Sequence, residues 1–288
     1  PWKIQDEVVN QNVPQQVNQQ QNNNNPVNVE QSYASLSLER AGYFNGIFNR
    51  QSQIEIIHRS VATAKETGLS KRFHCVLYGL PGCGKTEILD RFSKMLGKEG
   101  SAYFKLDATA TTSAGAFRLL SEAVVVPPIL IVEEIEKADE KTLHWLLGIL
   151  DDRAEIRKTN YRIGQQRKVV PMLCLATAND IDLFNNMMSG ALASRFPHKI
   201  HCPRPDREIL KLILEREVEE IQGDKAWIEP TLEFCYDILN WTDPRTLVPV
   251  CLCGKNKLLD GSHQRDLINT LEPNMVKEHQ SVLRKRYF

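Results

Sequence analysis

Gly79-Leu80-Pro81-Gly82-Cys83-Gly84-Lys85-Thr86 is the stretch that decides the fold. It fits the spacing G-x-x-x-x-G-K-[ST]. The apolar run Phe73–Tyr78 precedes it and reads as a short strand. The amphipathic run Lys85–Leu96 follows and reads as a helix. Strand, glycine-rich turn and helix in this order make a phosphate cradle. The glycines let successive backbone N–H groups turn inward, and the helix adds the positive end of its dipole. Lys85 is then placed to reach the β- and γ-phosphates of a nucleotide, and the Thr86 hydroxyl to bind Mg²⁺.

Downstream, Ile129-Leu130-Ile131-Val132 runs directly into Glu133-Glu134. Four apolar residues read as a central strand. Two carboxylates at its carboxyl end lie where open α/β sheets bind ligands. Side chains alternate along a strand, so the two acids point differently. One can hold the metal and the other can orient and deprotonate an attacking water. Further strands are expected at Ala102–Leu106, Pro171–Ala176 and His198–His201, with helices between them at about Ala116–Val124, Ala138–Leu150 and Phe184–Ser194. Alternating strands and helices imply a parallel five-stranded sheet covered on both faces. A helix from Ser52, ended by Thr67-Gly68, comes before the first strand. After Pro203 and Pro205 the strands stop. Asp206–Ile221, with Asp206 as N-cap, then Pro230–Leu239 and Pro244–Leu259, read as a small all-helical unit.

The stretch from about Tyr43 to Leu258 resembles the AAA+ ATPase family. Ile129–Ala138, ILIVEEIEKA, is similar to that family's second nucleotide motif in its Clp-type members. The upstream segments FNRQSQIEIIHRSVATAKETG and FHCVLYGLPGCGKT look most like the Holliday-junction branch-migration motor and its relatives, and MoxR-type members share features as well. The resemblance implies a P-loop α/β domain over residues 41–203 and a helical lid over 204–260. The tail over 261–288 reads as one more helix. The resemblance also implies ATP hydrolysis with ATP and Mg²⁺. The nucleotide contacts it implies are Gly79, Leu80, Pro81, Gly82, Cys83, Gly84, Lys85, Thr86 and Glu87, with Ile47 and Phe48 near adenine. Thr86 and Glu133 would hold the metal, Glu133 standing where the family usually has aspartate, and Glu134 would be the base. Asn179 in Leu173–Asn179 resembles the first sensor, with Thr177 the second choice. Arg195 in Ala193–Phe196 resembles the arginine finger that serves a neighbouring subunit, so a homo-oligomer, a ring of six, is implied. Arg245 in Thr242–Arg245 resembles the second sensor.

What such a motor would act on is read from Ile156–Val170. Arg157, Lys158, Arg162, Arg167 and Lys168 stand there around Tyr161 with no acid opposing them, and Ile163-Gly164-Gln165 is suited to a hairpin turn. A basic hairpin with an aromatic suits a nucleic-acid backbone, and a solvated loop is the plainer reading. In the resembling family a hairpin here meets DNA in some members and a protein partner in others. DNA, or a DNA-binding adaptor, is therefore the expected partner. Asp107–Gly115 lacks the aromatic grip with which unfoldases of that family hold polypeptide. A protein remodeller, or a slow ATP-switched loader, remains the alternative.

Composition sets the outer limits. The 288 residues carry 36 Lys+Arg and 36 Asp+Glu, so no blanket polycation is present. A mean hydropathy of −0.36 is ordinary for a globular chain. The longest apolar run, Ala123–Val132, is too short for a bilayer and is broken by two prolines. No secretory signal opens the chain. Seven scattered cysteines without a Cys-x-x-Cys pair read as reduced thiols of a cytoplasmic protein. Within residues 1–32, Asn and Gln fill 16 positions, and residues 1–40 are expected to be a disordered tether, with some capacity for self-association. Starting at Pro1, the chain is expected to be a fragment.

Overall fold

The computed structural model describes residues 33, 36–110, 113–122, 125–160 and 164–253. Helix α1 (Gln51–Glu66) leads into β1 (Cys75–Tyr78), α2 (Lys85–Leu96), β2 (Tyr103–Asp107), α3 (Ser113–Glu122), β3 (Ile129–Glu133) and α4 (Glu140–Leu150). The chain then forms β4 (Glu155–Asn160), β5 (Gly164–Val169), β6 (Leu173–Ala178), α5 (Ile181–Asn186) and β7 (His198–His201). The last helices are α6 (Arg207–Glu220), α7 (Ile228–Thr231) and α8 (Pro244–Cys253).

Five strands make one parallel sheet in the order β2-β3-β6-β1-β7. Burial follows that order. Every residue of β6 is buried, as are all but the last of β1 and β3, whereas the edges β2 and β7 keep polar side chains such as Lys105 and Lys199. This is why Ile129–Val132 and Leu173–Ala178 read as uninterrupted apolar runs rather than alternating ones. The pleat sorts them between two cores. Cys75, Leu77, Ile129, Ile131, Leu173 and Leu175 face α1 and α2, where Phe92 and Ile57 are fully buried. Val76, Leu130, Val132, Cys174 and Ala176 face α4 with Trp145, Phe184 and Phe196. A side chain such as Phe92 contributes about 2–3 kcal/mol by leaving water. A third core, Leu210, Leu214, Trp227, Phe234 and Leu247 among its members, holds the helices after β7 together.

Capping fixes where the helices begin. Asp206 accepts from Ile209 N at 2.9 Å at the start of α6, and Asp139 accepts from Thr142 N at 2.7 Å at the start of α4. Two expected helices come out differently. The run expected as Phe184–Ser194 is broken: Asp180 caps an earlier start, α5 ends at Asn186, and Met188 and Ser189 take left-handed backbone at φ 49° and 55° before a short turn at Ala193–Arg195. In place of one helix over Pro230–Leu239, α7 widens into a π-helical turn over Leu232–Ile238. The strands expected to open at Phe73 and Pro171 start two residues later, at Cys75 and Leu173, and proline has no N–H to give to a ladder.

The basic segment forms a two-stranded antiparallel hairpin, β4 against β5, with Arg157 opposite Arg167. Its turn, with Tyr161 and Arg162, lies outside the described residues, as do residues 1–32 and 254–288. Residues 36–40, within the segment 1–40 expected to be a tether, are among the described residues. Leu36 is 1% exposed in the α1–α2 core, and Ser37 N donates to Leu96 O at 3.3 Å. A single leucine after a polar tract has found an apolar slot.

Candidate nucleotide site

A cavity of about 550 Å³ opens at the carboxyl end of the sheet, between the turn after β1 and the helices after β7. Its floor is Pro81–Glu87, its flank Glu134, Thr177 and Asn179, and its roof Ile209, Ile213, Arg216, Glu217, Arg245 and Val248. Gly46, Ile47, Phe48 and Arg50 close the remaining side.

The loop is shaped by its glycines and by what presses on them. Gly79 has φ 148°, and a Cβ there would stand 2.3 Å from Cys202 O. Gly82 has φ 78°, and its added Cβ would stand 2.2 Å from Asp243 Oδ1, so the carboxylate before α8 rests directly on the loop. Lys85 is buried. Its ammonium donates to Gly79 O at 2.6 Å and Leu80 O at 2.9 Å, which holds it beneath the turn. Behind the loop, the buried Arg50 guanidinium donates to Cys83 O, to Asn49 O at 2.8 Å and to Pro203 O at 2.7 Å. One side chain thereby joins the segment before α1, the loop, and the connection to the helical part. The Cys83 thiol receives a hydrogen bond from Cys202 and lies near Lys85 and Arg50, which hold it below the ordinary thiol range. Cys202, the donor, is pushed up.

The two acids at the end of β3, Glu133 within it and Glu134 just after, part company. Glu134 has left-handed backbone at φ 50°, ψ 49° and turns toward the cavity. Its Oε1 accepts from Asn179 Nδ2 at 2.8 Å, its Oε2 from Lys137 Nζ at 2.7 Å, and its own N–H donates to Thr177 Oγ1 at 3.0 Å. The hydrogen bond from Lys137, and then that from Asn179, hold its carboxyl below the usual carboxylate range. Glu136, buried, fixes the same strand end by accepting from Asn179 N at 2.7 Å. Glu133 is not among the cavity-lining residues. Its Oε1 lies 3.2 Å from Lys105 Nζ.

Of the residues picked out from sequence, the structure therefore brings the loop from Pro81 to Glu87, Glu134, Thr177, Asn179, Arg245, Ile47 and Phe48 to one cavity. Arg195 does not line it and pairs instead with Asp151 Oδ1 at 3.2 Å. On the hairpin, Lys168 Nζ donates to Leu120 O at 2.7 Å at the end of α3, which turns it toward the protein. Residues that the sequence reading missed are Arg50, Asp90, Arg216 and Glu217. Asp90 had a usable signal, standing one helical turn beyond Thr86. Arg216, whose Nη1 donates to Gly46 O at 2.7 Å, had none. For magnesium, an oxygen-seeking ion, the donors present are the Thr86 hydroxyl and the Asp90 carboxylate in the cavity, with Glu133 behind them. Among the described residues no cluster of three or more His, Cys, Asp or Glu stands ready by itself to hold a metal. No helix among them is long and apolar enough to cross a membrane.

Residues 74–196 match the family described as AAA domain (dynein-related subfamily). No curated protein matches the chain. Among solved structures, a point mutant of RuvB from Thermotoga maritima is similar with a TM-score of 0.52 at 16% identity, over 81% of this chain and 69% of that one. The Thermotoga maritima RuvB Holliday junction branch migration motor is similar with a TM-score of 0.50 at 17% identity, over the same shares of each chain. At such identities the likeness is one of fold.

Proposed function

We propose that this chain, which carries an AAA+ P-loop domain, hydrolyses ATP in the cavity described above and couples the turnover to movement of DNA or a DNA-bound complex. The observation that carries the ATPase reading is the convergence of Lys85, Thr86, Glu134 and Asn179 on one cavity roofed by Arg216 and Arg245. In this reading residues 41–203 form the nucleotide domain and 204–260 the lid. The Gly82–Thr86 amides and Lys85 hold the phosphates, Gly79 and Leu80 lying outside the cavity wall, and Ile47, Ile209, Ile213 and Val248 enclose the base. Glu134, aligned by Asn179, takes a proton from the attacking water. Magnesium, when bound, neutralises phosphate charge, and Thr86 with Asp90 or Glu133 supplies the oxygens. Arg245 senses the phosphates from the lid, and Arg195 serves the site of the next subunit in a ring.

The DNA part is supported by the basic hairpin β4–β5 and by fold likeness to a branch-migration motor. The test is a turnover assay with and without duplex and forked DNA, beside a mass measurement in ATP. The expected outcome is a ring and a salt-dependent stimulation, erased by neutralising Arg157, Lys158 and Arg167 together. Stimulation by unfolded polypeptide alone would favour a protein remodeller.

A second reading, a slow ATP-switched loader, is favoured by one observation. Both acids at the end of β3 are already engaged by lysines, Glu134 by Lys137 and Glu133 by Lys105.

A further inference from the structure

Glu133 occupies the strand position from which the metal-side carboxylate of the site is expected, yet it points at an ammonium. Lys105 Nζ lies 3.2 Å from Glu133 Oε1 and 2.9 Å from Asp90 Oδ1. Asp90 lines the cavity together with Thr86, one turn back along α2. A cation of this chain is thus lodged between the carboxylate at the end of β3 and the carboxylate beside the Thr86 hydroxyl.

Strand register explains how it gets there. Lys105 pairs with Ile131, so Glu133 is its diagonal neighbour on the same face of the sheet. Long side chains bridge that diagonal. Glutamate, one methylene longer than aspartate, extends the reach. The contact is close but poorly aligned. Glu133 Oε1 is buried from solvent and makes no hydrogen bond. The Lys105 charge compensates that oxygen without a well-aligned hydrogen bond, which leaves it open to a better-placed cation or donor.

We propose that Lys105 is an internal counter-ion that competes with Mg²⁺ for Glu133. This rests on the nucleotide-binding reading above and adds to it a regulation of the metal requirement. In the metal-free chain Lys105 balances the two carboxylates and keeps them from repelling each other. A divalent ion arriving with nucleotide must take Glu133 from Lys105, so the magnesium concentration needed for tight nucleotide binding is raised. Competition of this kind is reciprocal, so metal in turn weakens the hold of Glu133 on Lys105.

The experiment is a magnesium titration of the binding of a fluorescent ATP analogue, with EDTA as the zero point. Lys105→Met is expected to lower the half-saturating magnesium about tenfold, within the usual range of coupling between sites. Lys105→Arg, which keeps the charge, is expected to stay within about twofold. A normal nucleotide affinity with an unmoved magnesium midpoint in Lys105→Met overturns the competition and leaves the nucleotide site standing. A wild-type chain that binds no analogue at any magnesium concentration overturns the nucleotide reading itself. Reductive methylation of the wild-type chain, read by mass spectrometry, needs no variant to fold. Lys105 should resist the reagent with nucleotide plus EDTA and yield to it with nucleotide plus magnesium. Equal resistance in both conditions overturns the proposal.

Discussion

Lys137 Nζ stands 2.7 Å from Glu134 Oε2, while Asn179 Nδ2 donates to the other oxygen of that carboxylate at 2.8 Å. The proposed general base is thus held at both oxygens on a left-handed backbone, a conformation that costs a non-glycine residue about 1–3 kcal/mol. Lys137 lowers the proton affinity of Glu134 and restrains it. Lys137→Met should raise turnover about threefold and move the acid limb of the pH–rate profile to higher pH, because the carboxyl pKa rises when the ammonium is lost. Steady-state kinetics carried down through the carboxylate range below pH 5, with folding checked at each pH, tests this, and an unmoved acid limb would mean that the pair is idle. Glu134→Gln should bind nucleotide normally and lose at least about 100-fold in turnover.

Gly82 and Asp243 predict how the loop and the helical part communicate. An added methyl at Gly82 meets the Asp243 carboxylate at 2.2 Å, and the positive φ adds backbone strain. Gly82→Ala should cost about 1–3 kcal/mol, seen as a lower midpoint in urea. Gly82→Ala with Asp243→Gly should recover the part due to the clash, leaving the backbone part. No recovery would show that Asp243 yields freely.

The cradle and the acidic strand end were legible because each is written in consecutive residues. Gly79–Thr86 needs one turn and one helix start, and Ile129–Glu134 needs one buried strand. The same holds for the central place of β3, since a continuous apolar run marks a strand buried on both faces. Arg50 and Arg216 were illegible for the opposite reason. Their partners, Cys83 O and Pro203 O for the one and Gly46 O for the other, are backbone atoms distant in sequence. The break after Asn186 was hidden because Met187 and Met188 continue the apolar pattern while Ser189-Gly190 ends the helix. Leu36 carried a weak signal, as the first leucine of the chain, set directly after the polar tract.

His74 predicts a pH dependence of stability. Its Nδ1 accepts from Cys174 N at 2.9 Å, so the ring is neutral there and Nε2–H faces Leu150 O at 3.2 Å. Burial, opposed by the Leu150 carbonyl and helped by nearby Arg72, pulls its pKa from 6.5 to about 4. The folded chain therefore resists a proton that the unfolded chain takes. Stability from this group is complete above about pH 6.5 and is lost as the pH falls toward 4, in all about 3 kcal/mol. Urea midpoints at pH 7.5, 6 and 5 should fall in that order. His74→Gln should be less stable at pH 7.5 and show a flatter decline, and an equally steep decline would assign the titration to another group.

Arg195 predicts the assembly. Its guanidinium is partly exposed, lies outside the cavity wall, and is held 3.2 Å from Asp151 Oδ1 at the end of α4. An arginine that stabilises transition-state charge must touch phosphate, and this one, paired with Asp151, is not among the residues of its own cavity. In the function proposed above it therefore serves a neighbouring subunit. Arg195→Ala should lower turnover about 10³-fold, the scale set by arginine fingers in other nucleotide hydrolases. Mixing it with Glu134→Gln subunits, which carry the arginine and lack the base, should restore activity in proportion to mixed interfaces. Asp151→Asn should leave turnover intact or raise it by freeing the guanidinium. No recovery on mixing, with both variants shown to co-assemble, would place the arginine's effect within its own subunit.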